Sequence, residues 1–244
     1  MCRHLAWLGR PRSLHDVVVA APYSLYRQSW QPRRQQHGLV NVDGFGAGWY
    51  VDGRAEPVRY RRSRPIWTDA SFASLAPTIT AGCVLAAVRS ATPGLAHGEA
   101  ATAPFQHGRW LFSHNGRLHD LDRARKALWP AAAEVPEAQV GVDSAWLFAA
   151  AVSRWRAGGS LVEGLVAATR AGRDAGGGRI TLLATDGAAV AGTVHGEALF
   201  VREQPDGVTV ASEPHDDEPG WAEVPFGHQV EVRNGHVTQR VMEL

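Results

Sequence analysis

Cysteine is scarce in this chain. Only two occur, Cys2 and Cys83, which excludes a disulfide-stapled scaffold and fits a reducing compartment. Long apolar runs are missing too. The stretch Val17-Val18-Val19-Ala20-Ala21 is short and ends at Pro22, so neither a signal peptide nor a membrane span is expected. There is no dominant charge: the formal net charge is +1, which argues against nucleic acid or an acidic membrane as the partner. Lysine is nearly absent, with Lys126 alone against many arginines. The eleven histidines include no pair at helical ligand spacing, and no metal or cofactor is expected. His215-Asp216-Asp217 lies between prolines and reads as a polar loop. The basic run Arg59 to Arg64 reads as an exposed strand edge. These absences lead to the expectation of a soluble cytoplasmic protein.

The chain has 244 residues, 45% of them hydrophobic, enough for one large domain, and no domain-sized linker interrupts it. Strands are expected at Cys2–Leu8, around Gly44–Tyr50, at Val58–Arg62, Val84–Arg89 and Trp110–His114. Helices are expected at Leu14–Val19, Ser71–Thr80, Ala124–Leu128 (ended by Pro130), Asp143–Ala157 and Leu161–Thr169. The segment 131–141 reads as a surface loop. From Arg179 onward short strands alternate with Asp-Gly and Asn-Gly turns. Strands, then helices, then strands again predict an α+β fold with helices on the faces of mainly antiparallel sheets.

Five stretches carry possible chemistry. Cys2 directly follows Met1. Once Met1 is removed, one residue offers both a thiol and a free α-amine, a nucleophile with its own base. The alternative is a small apolar residue in a first strand. In Asp43-Gly44-Phe45-Gly46-Ala47-Gly48 the alternating glycines leave one strand face bare for a ligand or another backbone. Arg89, in Val88-Arg89-Ser90-Ala91-Thr92, either grips a carboxylate or is a solvated arginine at a strand end. Asn115-Gly116 is either a turn or an oxyanion hole made from a side-chain amide and a backbone N–H. Asp143 either caps the helix it opens or holds an ammonium. Cys83 reads as an inert core thiol.

In this order, with cysteine at position 2, these motifs resemble the class II glutamine amidotransferases of the N-terminal-nucleophile (Ntn) hydrolase fold. The resemblance implies a four-layer αββα sandwich of two mainly antiparallel sheets with helices on both outer faces, formed by residues 1–244 as a single domain. It also implies roles. Cys2 would be the nucleophile and its α-amine the acid/base. Asn115 and Gly116 would form the oxyanion hole, while Arg89 and Asp143 would bind the α-carboxylate and α-ammonium of a γ-glutamyl group. No room remains for a synthase domain, so a stand-alone hydrolase or a subunit is expected, with oligomerisation open. The stretches 1–9, 65–74 and 211–221 are similar to the ergothioneine-biosynthesis hydrolases of that family. Those enzymes remove glutamate from γ-glutamyl-hercynylcysteine S-oxide. Aromatic faces such as Trp30, Trp67 and Trp221 would suit the trimethylammonium of that substrate, with Asp216 and Asp217 as added carboxylates. A glutaminase acting on glutamine or another γ-glutamyl amide is the alternative, and a non-catalytic γ-glutamyl-binding protein a second.

Overall fold

A computed structural model describes residues 2–244, so the expected removal of Met1 concerns a residue outside them. In chain order the strands are β1 (Arg3–Ser13), β2 (Gly44–Trp49), β3 (Val58–Arg62), β4 (Thr80–Arg89), β5 (Phe105–His107), β6 (Trp110–Leu118), β7 (Gly178–Thr185), β8 (Ala189–Thr193), β9 (Phe200–Gln204), β10 (Gly207–Ala211), β11 (Trp221–Glu223), β12 (His228–Arg233) and β13 (His236–Val241). The helices are α1 (Leu14–Val18), α2 (Leu25–Gln28), α3 (Ala70–Leu75), α4 (Leu121–Ala133), α5 (Asp143–Arg156) and α6 (Leu161–Ala175). One sheet has the order β11-β9-β10-β1-β4-β2-β3 and the other β13-β12-β8-β7-β6-β5. Every paired strand in both is antiparallel.

The period-2 alternation of strands decides what each sheet face touches. Leu5, Trp7, Val84, Ala86, Val88, Phe45 and Ala47 pack in one cluster with Leu14, Val18, Leu25 and Phe72 of the short helices. Their neighbours Ala6, Cys83 and Leu85 pack instead with Leu111, Leu183 and Val190 of the second sheet. On that second sheet Phe112, Leu118, Ile180 and Leu182 meet α4, α5 and α6. Three apolar layers thus separate four layers of structure, the αββα sandwich expected of the resemblance.

Several local expectations change. β1 runs on to Ser13, past Gly9, Arg10 and Pro11, with an irregular register between Leu8 and Arg12. Pro130 sits inside α4 and does not end it, because Ala124, Leu128 and Ala132 are buried along one helix face against the core. The segment expected as a loop from 131 is therefore partly helix. The expected helix after Ser71 ends at Leu75, and α6 extends to Ala175. β11 had no signal in the sequence. The bare glycine face of β2 is covered by protein. A Cβ at Gly46 would stand 2.4 Å from the Ala103 carbonyl oxygen, and one at Gly48 2.7 Å from Leu111 Cδ1. Close packing, the structural alternative, accounts for those glycines. The basic run lies on the edge strand β3, where Arg59 pairs with Glu137 (Nη1 to Oε2 2.7 Å) and Arg61 donates to the Thr102 carbonyl.

Candidate active site

The register of β1 and β4 pairs Arg3 with Val88, which sets Cys2 beside Arg89 at one end of the first sheet. Cys2 Sγ lies 4.0 Å from the Ser90 carbonyl oxygen. His4 points between the sheets, where its Nδ1 is 3.1 Å from Ser113 Oγ of β6. β1 and β6 run so that Cys2 and Asn115 are each one alternation step closer to the same end of the sandwich. They face each other on the inner surfaces of the two sheets. Ser212, just after β10, ties β1 to β6 beside them. Its Oγ accepts the His4 backbone N–H at 3.0 Å and the Asn115 Nδ2–H at 3.4 Å, and its own N–H donates to the His4 carbonyl at 2.9 Å.

Asn115-Gly116 is not a turn: both residues lie within β6 and are paired with Thr181 and Ile180. Gly116 has φ +149°, and a Cβ there would stand 1.9 Å from the Arg179 carbonyl oxygen. The position requires glycine on both counts. Asn115 is fully buried, and its Oδ1 has no hydrogen-bond partner among the described residues.

Arg89 is 7% exposed, which overturns the solvated reading. Its Nη2 donates to the Ala96 carbonyl at 2.7 Å. Nη1 is buried without a partner, and no carboxylate pairs with the guanidinium among the described residues. The Ala96 N–H donates in turn to the Gly141 carbonyl, two residues before Asp143. Asp143 is not the cap of α5; that position is Val142, whose side chain makes no cap bond. Asp143 is the first helical residue. Its buried carboxylate accepts the Leu118 N–H (3.0 Å) and the Ser144 N–H (2.9 Å), which joins the start of α5 to the end of β6. A carboxylate oxygen accepts more than one donor, so these bonds leave capacity for an ammonium.

Two buried histidines frame the site. His114 is 3.1 Å from the Arg179 carbonyl oxygen through Nε2 and 3.0 Å from Ser144 Oγ through Nδ1. A carbonyl only accepts, so Nε2 donates to it. His4 has no exposed surface, and burial, with His114 and Arg3 nearby, pushes its pKa down to about 3. It is a neutral structural imidazole. Burial pushes the Cys83 thiol up to about 12, and Thr185 Oγ1 lies 3.0 Å from it. A thiolate is the reactive form, so Cys83 is an inert core residue.

The aromatic residues expected around a trimethylammonium do not all converge. Trp30 and Trp67 meet edge to face with centroids 5.3 Å apart, but Trp221 stands elsewhere, donating Nε1–H to Asp216. Asp216 also takes Arg202, and Asp217 takes Arg33, so both carboxylates are already paired. Sequence reasoning gave no role to Ser212, His4 and Ser113, which join the two sheets at the site; they lie in stretches that carry the resemblance, and alternation parity with Cys2 and Asn115 is the signal for their position.

The family model described as "Glutamine amidotransferases class-II" matches residues 16–207, a span that begins after Cys2. A γ-glutamyl-hercynylcysteine sulfoxide hydrolase of Mycolicibacterium smegmatis is 46% identical over 239 residues, covering 97% of this chain and 98% of that protein. A protein of the same name from Mycobacterium tuberculosis is 41% identical over 243 residues, covering 100% and 97%. Among solved structures, a glutamine aminotransferase class-II domain protein of Silicibacter pomeroyi superimposes with TM-score 0.71 at 24% identity over the whole of both chains. The phosphoribosylpyrophosphate amidotransferase of B. subtilis superimposes with TM-score 0.70 at 16% identity; this chain spans half of it. These structural likenesses bear on the fold alone.

Proposed function

The chain belongs to the class II glutamine amidotransferases, and from that membership we propose that it is a hydrolase releasing glutamate from γ-glutamyl-hercynylcysteine S-oxide, a step of ergothioneine biosynthesis. The relatives supply the identity of the leaving amine. The observation that carries the γ-glutamyl part is Arg89. Its buried guanidinium, with Nη1 unpartnered among the described residues and Cys2 beside it, suits a carboxylate. Asp143, joined to Arg89 through Ala96 and Gly141, supplies the opposite charge. A γ-glutamyl end bears one carboxylate and one ammonium on the same carbon, which this pair matches.

In the reaction the Cys2 α-amine, free once Met1 is absent, takes the thiol proton, and sulfur attacks the γ-carbonyl carbon. The developing oxyanion is held by the Asn115 amide and the Gly116 N–H. Asn115 Nδ2 carries two N–H groups, so one donates to Ser212 Oγ while the other serves the oxyanion. The ammonium returns its proton to the leaving nitrogen as the C–N bond breaks, leaving a Cys2 thioester. Water adds to the thioester, the amine takes a proton from it, sulfur leaves, and glutamate is released. No metal or cofactor enters this scheme. No described helix is long and apolar enough to cross a membrane. A single-domain enzyme of residues 1–244 in the cytoplasm is the accompanying proposal.

The test is glutamate release by the mature protein from γ-glutamyl-hercynylcysteine S-oxide and from glutamine, side by side. Faster turnover of the sulfoxide is expected. Preference for glutamine would make the protein a glutaminase, and release from neither would overturn the hydrolase reading.

A further inference from the structure

The nucleophile divides its end of the sandwich into two sides. On one side lie β4, β6 and the start of α5, with Arg89, Asn115 and Asp143. On the other lie the end of β10, the start of β7 and the β8–β9 connection. A γ-glutamyl group held by Arg89 and Asp143 fills the first side. The amine leaving the scissile carbonyl then points to the second.

The segment 31–43, between α2 and β2, has no regular structure; its last residue, Asp43, is bonded to Arg89 and Ala91 on the first side, and buried polar groups hold the residues before it. Glu213 has no exposed surface and accepts two successive backbone N–H groups, Arg33 at 3.0 Å and Arg34 at 2.8 Å. Arg3, equally buried, donates Nε–H to Gln35 Oε1 at 3.2 Å. The same oxygen accepts Asn41 Nδ2–H at 2.9 Å, and the Asn41 N–H donates to the Ser29 carbonyl. Near the tip, His37 lies 3.9 Å from Glu197, which pairs with Arg179 at 2.8 Å. Arg3 follows Cys2 and Glu213 follows Ser212, so by strand alternation they hold the segment from the opposite face of the first sheet, and the His37–Glu197–Arg179 contacts carry it across the end of the sandwich to β7, where the Arg179 carbonyl accepts from His114.

Between these anchors the chain presents apolar side chains to solvent: Leu39 is 85% exposed and Val40 40%. One exposed leucine is ordinary on a protein surface. A segment fastened at both ends by buried polar groups, on a rigid scaffold next to a nucleophile, is how binding loops are built. We infer that residues 35–41 form the leaving-amine subsite, with Leu39 contacting the amine and Glu213 holding the wall in place. Together they select bulky γ-glutamyl amides over small ones. The inference rests on the γ-glutamyl reading above.

The test uses the mature full chain with two substrates, γ-glutamyl-hercynylcysteine S-oxide and γ-glutamylmethylamide, and two variants, Leu39→Glu and Glu213→Gln. In Leu39→Glu the ratio of KM for the bulky amide to KM for the methylamide is expected to rise about tenfold, the scale of losing one apolar side-chain contact, with kcat for the bulky amide held within about twofold. Glu213→Gln should move the ratio in the same direction. Leu39 is exposed, so its variant keeps the wild-type melting temperature and decides the matter even if Glu213→Gln fails to fold. An unchanged ratio in Leu39→Glu, or equal rises for both substrates, overturns the subsite. Wild-type protein that releases glutamate from neither substrate overturns the γ-glutamyl reading, and the subsite with it.

Discussion

Each candidate residue at the site carries a structural bond as well as a proposed chemical task, and its substitution must be read with both in mind. Cys2 is the simplest case. Its side chain makes only a long contact to the Ser90 carbonyl, so Cys2→Ala should abolish glutamate release while leaving the melting curve unmoved. Full activity in that variant would remove the nucleophile assignment. Asn115 touches Ser212, so Asn115→Ala should lower kcat by about 10²–10³, the usual loss for one oxyanion donor, with a smaller change in KM. Steady-state kinetics with the sulfoxide substrate separate the two parameters. Arg89→Lys keeps the charge but loses the fork geometry. It should raise KM for γ-glutamyl substrates through lost carboxylate binding, and an unchanged KM would take the α-carboxylate away from Arg89.

The elements show how a bare strand face is used. β2 presents glycine toward the Ala103-Pro104 segment and Leu111, and no ligand fits between them. Gly46→Ala should destabilise by about 1–3 kcal/mol, since the new methyl meets backbone and cannot be accommodated by a rotamer change. Calorimetry would register this as a lower melting temperature, and an unchanged value would show that the contact relaxes freely. α5 illustrates the reverse. Its first residue, Asp143, is spent partly on backbone N–H groups of β6 and of the helix itself, so helix position and site position are one feature.

At the scale of the whole molecule, the layer between the sheets couples stability to pH. His4 is sealed there, and its pKa in the folded state is about 3 against 6.5 for the free group. The unfolded chain therefore binds a proton that the folded chain refuses over that window. Stability from this group is intact above about pH 6.5 and declines as pH falls toward 3, with a slope approaching about 1.4 kcal/mol per pH unit. Urea unfolding at a series of pH values should show this slope, and His4→Gln should flatten it. Equal slopes in the two proteins would mean that His4 is hydrated or protonated in the folded state.

The sequence alone determined the alternation of strands and helices, and with it the layered class, because hydrophobic period and turn chemistry are local properties. It also determined the order of Cys2, Arg89, Asn115-Gly116 and Asp143 along the chain, which is enough to mark the family. The long helix beginning at Asp143 was legible to within a residue, since Ala145, Leu147, Phe148, Ala151, Val152 and Trp155 repeat at helical spacing and all are buried. Only the tertiary structure decided between readings that local chemistry leaves equal. Asn115-Gly116 is strand, not turn, because β7 pairs with it. Pro130 is helical because the core holds its neighbours. Arg89 is buried because strand pairing places it beside Cys2, and the glycines of β2 serve packing because another segment covers them. Ser212, Glu213 and Arg3 lie in stretches that carry the resemblance, but their roles were silent in the sequence for the same reason. Their partners lie far along the chain, and only the folding of one sheet onto the other brings them to the nucleophile.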